Sequence, residues 1–133
     1  MSIQPARIHV RFSDLDVLGH VNNSVYLTYF ETARIHYFGI LLGKQWDWKK
    51  DGVILVKNEV EYHRPIVLHD QPMIEVTLRE IGNKSFTLTY YVRVDDEICA
   101  TGLSTLVGFD SEIQQTIPIP QKMREALHHL KKE

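Results

Sequence analysis

The chain has 133 residues, 44% hydrophobic and 24% charged, a composition typical of one soluble globular domain that spans residues 1–133. Its formal net charge is −2, and no block of lysine and arginine stands out before Lys131-Lys132, so nucleic acid is not an expected partner. No apolar run approaches the ~18 residues of a membrane-spanning helix and no signal peptide is recognisable, so we expect a cytoplasmic protein without a membrane span.

The first part of the chain predicts a strand followed by a long helix. Residues 7–12 form the strand, because Ile8, Val10 and Phe12 alternate with polar residues. From residue 24 to about residue 42, apolar side chains recur every three to four positions, which predicts a helix. Since these apolar residues occupy much of the helix circumference, we expect other elements to wrap around the helix.

The remainder of the chain predicts strands. Alternating or apolar stretches indicate four long strands, at residues 53–63, 72–80, 85–94 and 97–109. Turn signals at Gly82-Asn83 and Asp95-Asp96 join the last three strands into an antiparallel meander. Apolar residues at helical spacing predict a short helix over residues 121–132, lying on the surface. Cys99 is the only cysteine, which excludes an intramolecular disulfide, and its apolar neighbours indicate a packed side chain.

This element order predicts an α+β fold, in which a five-stranded antiparallel sheet curls around one long central helix and a short C-terminal helix is added. The outer face of a sheet so rich in Val, Ile, Leu and aromatic residues would still need a cover. We therefore expect a homo-oligomer, formed by joined edge strands or by stacked sheet faces.

The candidate site is the polar segment Asp14–Asn23, which lies between the first strand and the long helix. It places two carboxylates, a glycine, a histidine and two side-chain amides within ten residues. Backbone N–H groups at a helix start lack partners within the helix, and the helix dipole adds partial positive charge there. Such a junction suits chemistry that develops negative charge.

These residues resemble a known family, the hotdog-fold thioesterases, and in particular the 4-hydroxybenzoyl-CoA thioesterase-like group of acyl-CoA thioesterases. The resemblance covers nearly the whole chain. The motifs that carry it are Phe-Ser-Asp-Leu-Asp-Val-Leu-Gly-His-Val-Asn-Asn at residues 12–23, Phe-Glu-Thr-Ala-Arg at residues 30–34, and Tyr-His-Arg-Pro-Ile at residues 62–66 with Asp70 after it.

The resemblance implies roles for three residues. Asp16 would be the catalytic carboxylate, acting either as a nucleophile on the thioester carbonyl or as a general base that directs a water molecule. The backbone N–H of Asn23, at the first turn of the helix, would form the oxyanion hole, and His20 would orient water or substrate. Plant acyl-carrier-protein thioesterases share these pieces but have an asparagine where this chain has Leu18, which favours a simpler site centred on Asp16.

Each of these residues also has a purely structural interpretation. Asp14 and Asp16 are residue types that commonly form turns and caps, and His20 could bond only to backbone within a tight turn. Tyr26 could line an acyl pocket or pack in the core. His36, His63 and His69 do not have a recognisable metal spacing, so no metal is assigned.

The resemblance implies an acyl-CoA thioesterase that hydrolyses an acyl-CoA to a carboxylic acid and free coenzyme A. The expected partners are acyl-CoA, acyl-carrier protein as a second carrier, and further copies of the chain in a homodimer or homotetramer. No resident cofactor is expected, because coenzyme A is part of the substrate. Two alternatives stay open: a hotdog protein that binds thioesters without hydrolysis, and a hotdog hydratase or dehydratase, whose helix patterns resemble this chain less.

Overall fold

The long helix α1 (Val25–Leu42) lies at the centre of the computed structural model, which describes residues 2–133. It ends at Gly43, whose φ of +79° is a conformation that glycine adopts without steric cost. The side chains that α1 buries are Tyr26, Tyr29, Phe30, Ala33, Arg34, Tyr37, Phe38 and Leu42. Leu27, Ile35 and Ile40 remain exposed on its other side. The predicted helix is therefore confirmed, but the sheet covers only one side of it.

An antiparallel sheet forms the rest of the fold. Its strands are β1 (Ala6–Arg7), β2 (Gly52–Tyr62), β3 (Met73–Ile81), β4 (Ser85–Val94), β5 (Glu97–Asp110) and the short β6 (Gln115–Thr116). Five strands follow the order β1-β3-β4-β5-β2, and β6 pairs with the end of β5. The helix α2 (Gln121–Leu127) completes the chain. The predicted hotdog architecture, with its meander of three strands, is confirmed.

The contact between α1 and the sheet depends on close approach of an aromatic ring to the backbone. The ring of Phe30 stacks on Tyr90 of β4 with a centroid distance of 4.2 Å and an interplanar angle of 3°. A Cβ at Gly102 of β5 would lie 2.5 Å from the Phe30 ring, so glycine is required there for the helix to reach the sheet. This packing fixes the depth at which α1 sits in the curled sheet.

Two predicted elements differ from the structure at their ends. The first strand is only Ala6–Arg7, and although Ile8 and Val10 are buried as expected, Phe12 is 80% exposed. The reason is local: the Asp14 carboxylate accepts the Arg11 N–H at 3.0 Å and folds residues 12–14 into a 3-10 turn, which ends the alternation. The C-terminal helix stops at Leu127, and its Met123 and Leu127 side chains are fully buried.

The outer face of the sheet is polar, and the expectation that it is apolar is wrong. The strand registers place Thr77, Thr89 and Leu103 in one row across β3, β4 and β5. In the next row the hydroxyls of Thr87 and Thr105 bond to each other at 2.9 Å. These threonines are nevertheless buried, since Thr77, Thr87 and Thr89 are only 2%, 6% and 7% exposed. Thr77 bonds to the Glu133 carboxylate of the C-terminal tail at 3.2 Å, so the tail covers part of this face.

Neither helix in residues 2–133 is both long enough and apolar enough to cross a membrane.

Candidate active site

The segment between the 3-10 turn and α1 folds into a small closed loop. Leu15 and Val21 form an antiparallel bridge at its base, and the Asp16 N–H donates to the His20 carbonyl at 2.7 Å. At its tip the Gly19 N–H donates to the Asp16 carbonyl at 3.0 Å, and Gly19 has a φ of +79°. Only glycine takes that conformation without strain, so Gly19 is needed for the loop to turn back.

The Asp16 carboxylate has two oxygens with different environments. Oδ1 accepts the backbone N–H groups of Leu18 at 2.9 Å and of His20 at 3.2 Å, which is the behaviour of a turn-forming aspartate. Oδ2 has no hydrogen-bond or ion-pair partner in residues 2–133. Asp16 thus shapes the loop with one oxygen and presents the other to its surroundings.

Asp14 has a structural role at the base of the same loop. Its carboxylate is 4% exposed, and Oδ2 accepts the Tyr29 hydroxyl at 2.7 Å in addition to the Arg11 N–H. Burial by itself would raise the pKa of Asp14, but these two hydrogen bonds and the charges of Arg11 and His9 together lower it. The Asp14 carbonyl accepts the Asn22 N–H at 2.8 Å, so Asp14 ties the loop to α1.

Asn23 occupies the turn that leads into α1, two residues before the first helical residue, and not the first helical turn itself. The neighbouring Asn22 caps this turn, because its Oδ1 accepts both the backbone N–H and the hydroxyl of Ser24, at 3.0 and 2.9 Å. The backbone N–H of Asn23 has no acceptor among the described residues. A free N–H at this position is available to a ligand.

The structure brings Asp16, His20 and Asn23 to one pocket of about 240 Å³. The His20 ring makes no hydrogen bond to residues 2–133, so its imidazole is not held by backbone. Leu18 is 74% exposed and does not line this pocket. The remaining lining residues are Val21, Tyr26, Tyr62, His63, Arg64 and Pro65.

Residues 62–65 lie at and just after the end of β2, far from the loop in sequence. The spacing of residues in the Asp14–Asn23 segment therefore does not predict that they line the same pocket. Their only sequence signal is the Tyr-His-Arg-Pro motif.

Tyr26 both packs in the core and lines the pocket. It is 2% exposed, and its ring meets the ring of Tyr62 edge-on at a centroid distance of 4.9 Å. Burial raises the pKa of Tyr26 to about 12, so its hydroxyl stays protonated at neutral pH. The two interpretations that the sequence left open are therefore compatible.

A second cavity lies further along the same side of α1. It has a volume of about 530 Å³ and is lined mainly by apolar residues of α1, β2 and β5 and of the segment before β2, with Glu31, Arg34 and Lys44 as its charged members. The Arg34 guanidinium donates to the Tyr90 hydroxyl at 3.0 Å. The apolar residues that line this cavity include Ile35, Phe38, Trp48, Val53, Leu55 and Leu106.

Both cavities are lined by residues of β2 and of α1 or the turn before it, although no residue lines both. Asn23 lies in the turn before α1, and Glu31, Ile35 and Phe38 follow at helical spacing along α1. Tyr62 at one end of β2 lines the small pocket, whereas Val53 and Leu55 at the other end line the large cavity. We call the two cavities together the α1/β2 crevice.

The other reactive side chains do not form a second centre. Cys99 is fully buried, and burial raises the pKa of its thiol, which agrees with the predicted packing role. Within residues 2–133 no three His, Cys, Asp or Glu side chains come together as a metal-binding group.

The curled sheet around α1, with a polar pocket at the helix start, defines a hotdog-fold enzyme of the thioesterase class. The chain belongs to the thioesterase-like superfamily, whose family model matches residues 10–127. It is 30% identical over 131 residues to the long-chain acyl-CoA thioesterase FadM of Escherichia coli, covering 95% of this chain and 98% of FadM.

Solved structures agree with this assignment. A thioesterase from Thermus thermophilus, complexed with coenzyme A and zinc, superposes with a TM-score of 0.81 and 37% identity over 96% of this chain and 94% of that one. A gentisyl-coenzyme A thioesterase superposes with a TM-score of 0.83 and 25% identity over 91% of this chain and 97% of that one. The protein is a thioester hydrolase of the acyl-CoA thioesterase class.

Proposed function

We propose that the protein hydrolyses acyl-CoA in the 240 Å³ pocket, with Asp16 as the catalytic carboxylate and the Asn23 N–H as the oxyanion donor. The proposal depends on two groups that have no hydrogen-bond partner in the described chain: one carboxylate oxygen of Asp16 and the backbone N–H of Asn23. Both residues line the same pocket. A base and an oxyanion donor are the two groups that acyl transfer to water needs.

In the general-base route, Asp16 takes a proton from water while the water oxygen bonds to the thioester carbonyl carbon. The carbonyl oxygen becomes an oxyanion, which the Asn23 N–H stabilises. The C–S bond then breaks, the sulfur leaves as the thiolate of coenzyme A, and the proton on Asp16 returns to that thiolate. In the nucleophilic route, an Asp16 oxygen bonds to the carbonyl carbon, the C–S bond breaks and coenzyme A leaves as its thiolate. Water then hydrolyses the resulting mixed anhydride, which releases the carboxylic acid, restores the Asp16 carboxylate and supplies the proton that the thiolate takes up.

His20 contributes a ring that is free to bond a water molecule or the substrate beside these two groups.

The experiment that tests this proposal is a panel of short, medium, long and aromatic acyl-CoAs, with acyl-carrier-protein thioesters as a second carrier. Release of free thiol, which depends on enzyme concentration, is the expected result. Thermal stabilisation by an acyl-CoA without thiol release would instead identify a thioester-binding protein and would reject the hydrolytic proposal.

We further propose that the acyl group is a long chain lying in the α1/β2 crevice. Eight residues separate Asn23 from Glu31, which corresponds to about 12 Å along a helix, and fifteen separate it from Phe38, which corresponds to about 22 Å. One acyl chain fills half of a bilayer core, about 15 Å. A chain whose carbonyl is at Asn23 would therefore reach the near end of the large cavity, at Glu31, and not its far end. The similarity to FadM, a long-chain acyl-CoA thioesterase, supports this proposal.

We also propose that two copies join through β2. This strand has eleven residues, forms one edge of the sheet, and carries exposed apolar side chains at Ile54, Leu55 and Val56. Ile35 and Ile40 on the neighbouring side of α1 are 67% and 49% exposed. Antiparallel pairing of two β2 strands about a two-fold axis would cover the edge and place a second copy over the open side of the crevice.

Val56 is suited to testing this interface, because it is 55% exposed and has no pairing partner on β5 owing to a bulge between Leu55 and Lys57. We expect Val56→Asp to raise the dimer dissociation constant by at least about tenfold, since two carboxylates would meet at an apolar edge. Sedimentation velocity measures the change. Ile113→Asp, at a residue 57% exposed in the turn after β5, is the matched control and should leave the dimer intact. A Val56→Asp protein that sediments like wild type would refute the interface.

A further inference from the structure

Tyr62, the last residue of β2, connects the edge strand to the start of α1. Its hydroxyl donates to the Asn23 carbonyl at 2.8 Å, across 39 residues of sequence. Its ring packs edge-on against the ring of Tyr26 and lines the same pocket as Asp16. Burial raises the pKa of Tyr62 above its ordinary value of 10.0, so the hydroxyl keeps its proton at neutral pH.

The hydrogen bond from Tyr62 matters because α1 holds only one of the two peptide groups of Asn23, the Asn22–Asn23 group, through its first residue. The Val25 N–H donates to the Asn22 carbonyl at 2.9 Å, and the Leu27 N–H donates to the Ser24 carbonyl at 3.3 Å. Among the described residues, the Asn23 carbonyl therefore has only the Tyr62 hydroxyl as a partner. Asn23, which lines the pocket, is therefore anchored through its carbonyl by the last residue of β2.

We propose that Tyr62 is a positioning residue, whose hydroxyl fixes the backbone of Asn23 so that the Asn23 N–H points at the thioester oxygen. This inference rests on the proposed function. An oxyanion donor is effective only when it is held about 2.7 to 3.1 Å from the oxyanion before the reaction begins. Without the anchor on the Asn23–Ser24 peptide group, the backbone dihedral angles of Asn23 would be less restricted, and the cost of ordering them would appear in the transition state.

Tyr62→Phe removes the hydroxyl and retains the ring, so the pocket wall and the contact with Tyr26 remain. We expect kcat to fall about tenfold, a part of the ~100-fold that loss of a whole oxyanion donor costs. We expect KM to change less than about twofold, because the bond acts in the transition state and not in substrate binding. Initial rates over a range of acyl-CoA concentrations separate the two constants.

Tyr91→Phe is the matched control. The Tyr91 hydroxyl donates to the Glu133 carboxylate at 2.7 Å on the outer face of the sheet, away from the pocket. Its loss removes a tyrosine hydrogen bond of similar length without touching Asn23, so kcat should stay at the wild-type value. An equal fall of kcat in both variants would overturn the proposal, because it would indicate a general loss of stability.

The amide resonance of Asn23 gives a readout that does not depend on catalysis. In ¹⁵N-labelled protein, Tyr62→Phe should shift the Asn23 amide resonance, whereas Tyr91→Phe should not. If the wild type hydrolyses acyl-CoA but Tyr62→Phe changes neither kcat nor this resonance, the positioning role is refuted. If no acyl-CoA is hydrolysed at all, the proposed function fails, and the resonance still decides whether Tyr62 orders Asn23.

Discussion

Asp16→Asn abolishes most of the hydrolysis of acyl-CoA and leaves the fold intact; this is the result that we expect from the two environments of the Asp16 carboxylate. The amide oxygen of asparagine replaces Oδ1 as the acceptor for the Leu18 and His20 N–H groups, so the loop keeps its shape. The amide nitrogen replaces Oδ2, which removes the base or nucleophile. A general base contributes roughly 10²- to 10⁴-fold, so kcat should fall by at least about 100-fold.

Asp16→Ala is the informative companion to this variant. Alanine removes both oxygens, so the two loop N–H groups lose their acceptor and the loop loses order as well as chemistry. We expect the same loss of kcat but also a lower melting temperature, whereas Asp16→Asn should melt close to the wild type. Circular dichroism and a thiol-release assay on both proteins separate these effects. Turnover by Asp16→Asn at a rate near that of the wild type would remove Asp16 from the mechanism.

Asp14 is expected to have the largest effect on stability. Asp14→Ala would leave the buried Tyr29 hydroxyl without its acceptor and would remove the bond to the Arg11 N–H. Hydrogen bonds to a charged group are worth about 1.5 to 3 kcal/mol each, so the free energy of unfolding should fall by about 3 kcal/mol. Urea denaturation at pH 7 measures the change, and a double-mutant cycle with Tyr29→Phe isolates the contribution of that pair.

We also expect Asp14 to make the free energy of unfolding depend on pH. The pKa of Asp14 is lower in the folded protein than its ordinary value of 3.8, so the folded state holds the charged form more strongly than the unfolded state does. Its stabilising contribution is complete above pH 3.8 and is lost as the pH falls through the lower folded pKa. Asp14→Asn cannot titrate, so its stability should fall less steeply below pH 4 than that of the wild type. If the free energy of unfolding fell equally steeply below pH 4 in the two proteins, this role of Asp14 would be contradicted.

Elements with a regular period could be predicted from the sequence. The apolar members of the β4 alternation, Phe86, Leu88, Tyr90 and Val92, are buried as the pattern predicts, although Thr87 and Thr89 between them are buried as well. The helix at residues 24–42 likewise buries most of its apolar side chains, because packing against a single core imposes the spacing. Phe12 continues the same alternation and yet is exposed, because a side-chain hydrogen bond from Asp14 overrides the pattern at that point. Local hydrogen bonds of this kind do not change the spacing of apolar residues, so they cannot be predicted from that spacing.

The candidate site also contains features that the sequence could predict and features that it could not. Asp16, His20 and Asn23 lie within one short segment, so a motif was sufficient to select them together, and the structure places them around one pocket. The anchoring of Asn23 by Tyr62 depends on where β2 ends relative to the start of α1, which sequence spacing does not define. The polar outer face was missed for a similar reason, since the threonines of three strands form one surface only after the register is known.

The two edges of the sheet are unequal, and this inequality would limit how far the proposed pairing through β2 could extend. At one edge β2 offers eleven residues for pairing. At the opposite edge only the two residues of β1 pair with β3, and the C-terminal tail covers β3 further along, where the Leu78 N–H donates to the Lys131 carbonyl at 2.8 Å. In the proposed dimer, pairing through β2 would therefore leave no free strand edge at either end, and strand addition could not continue into a fibre.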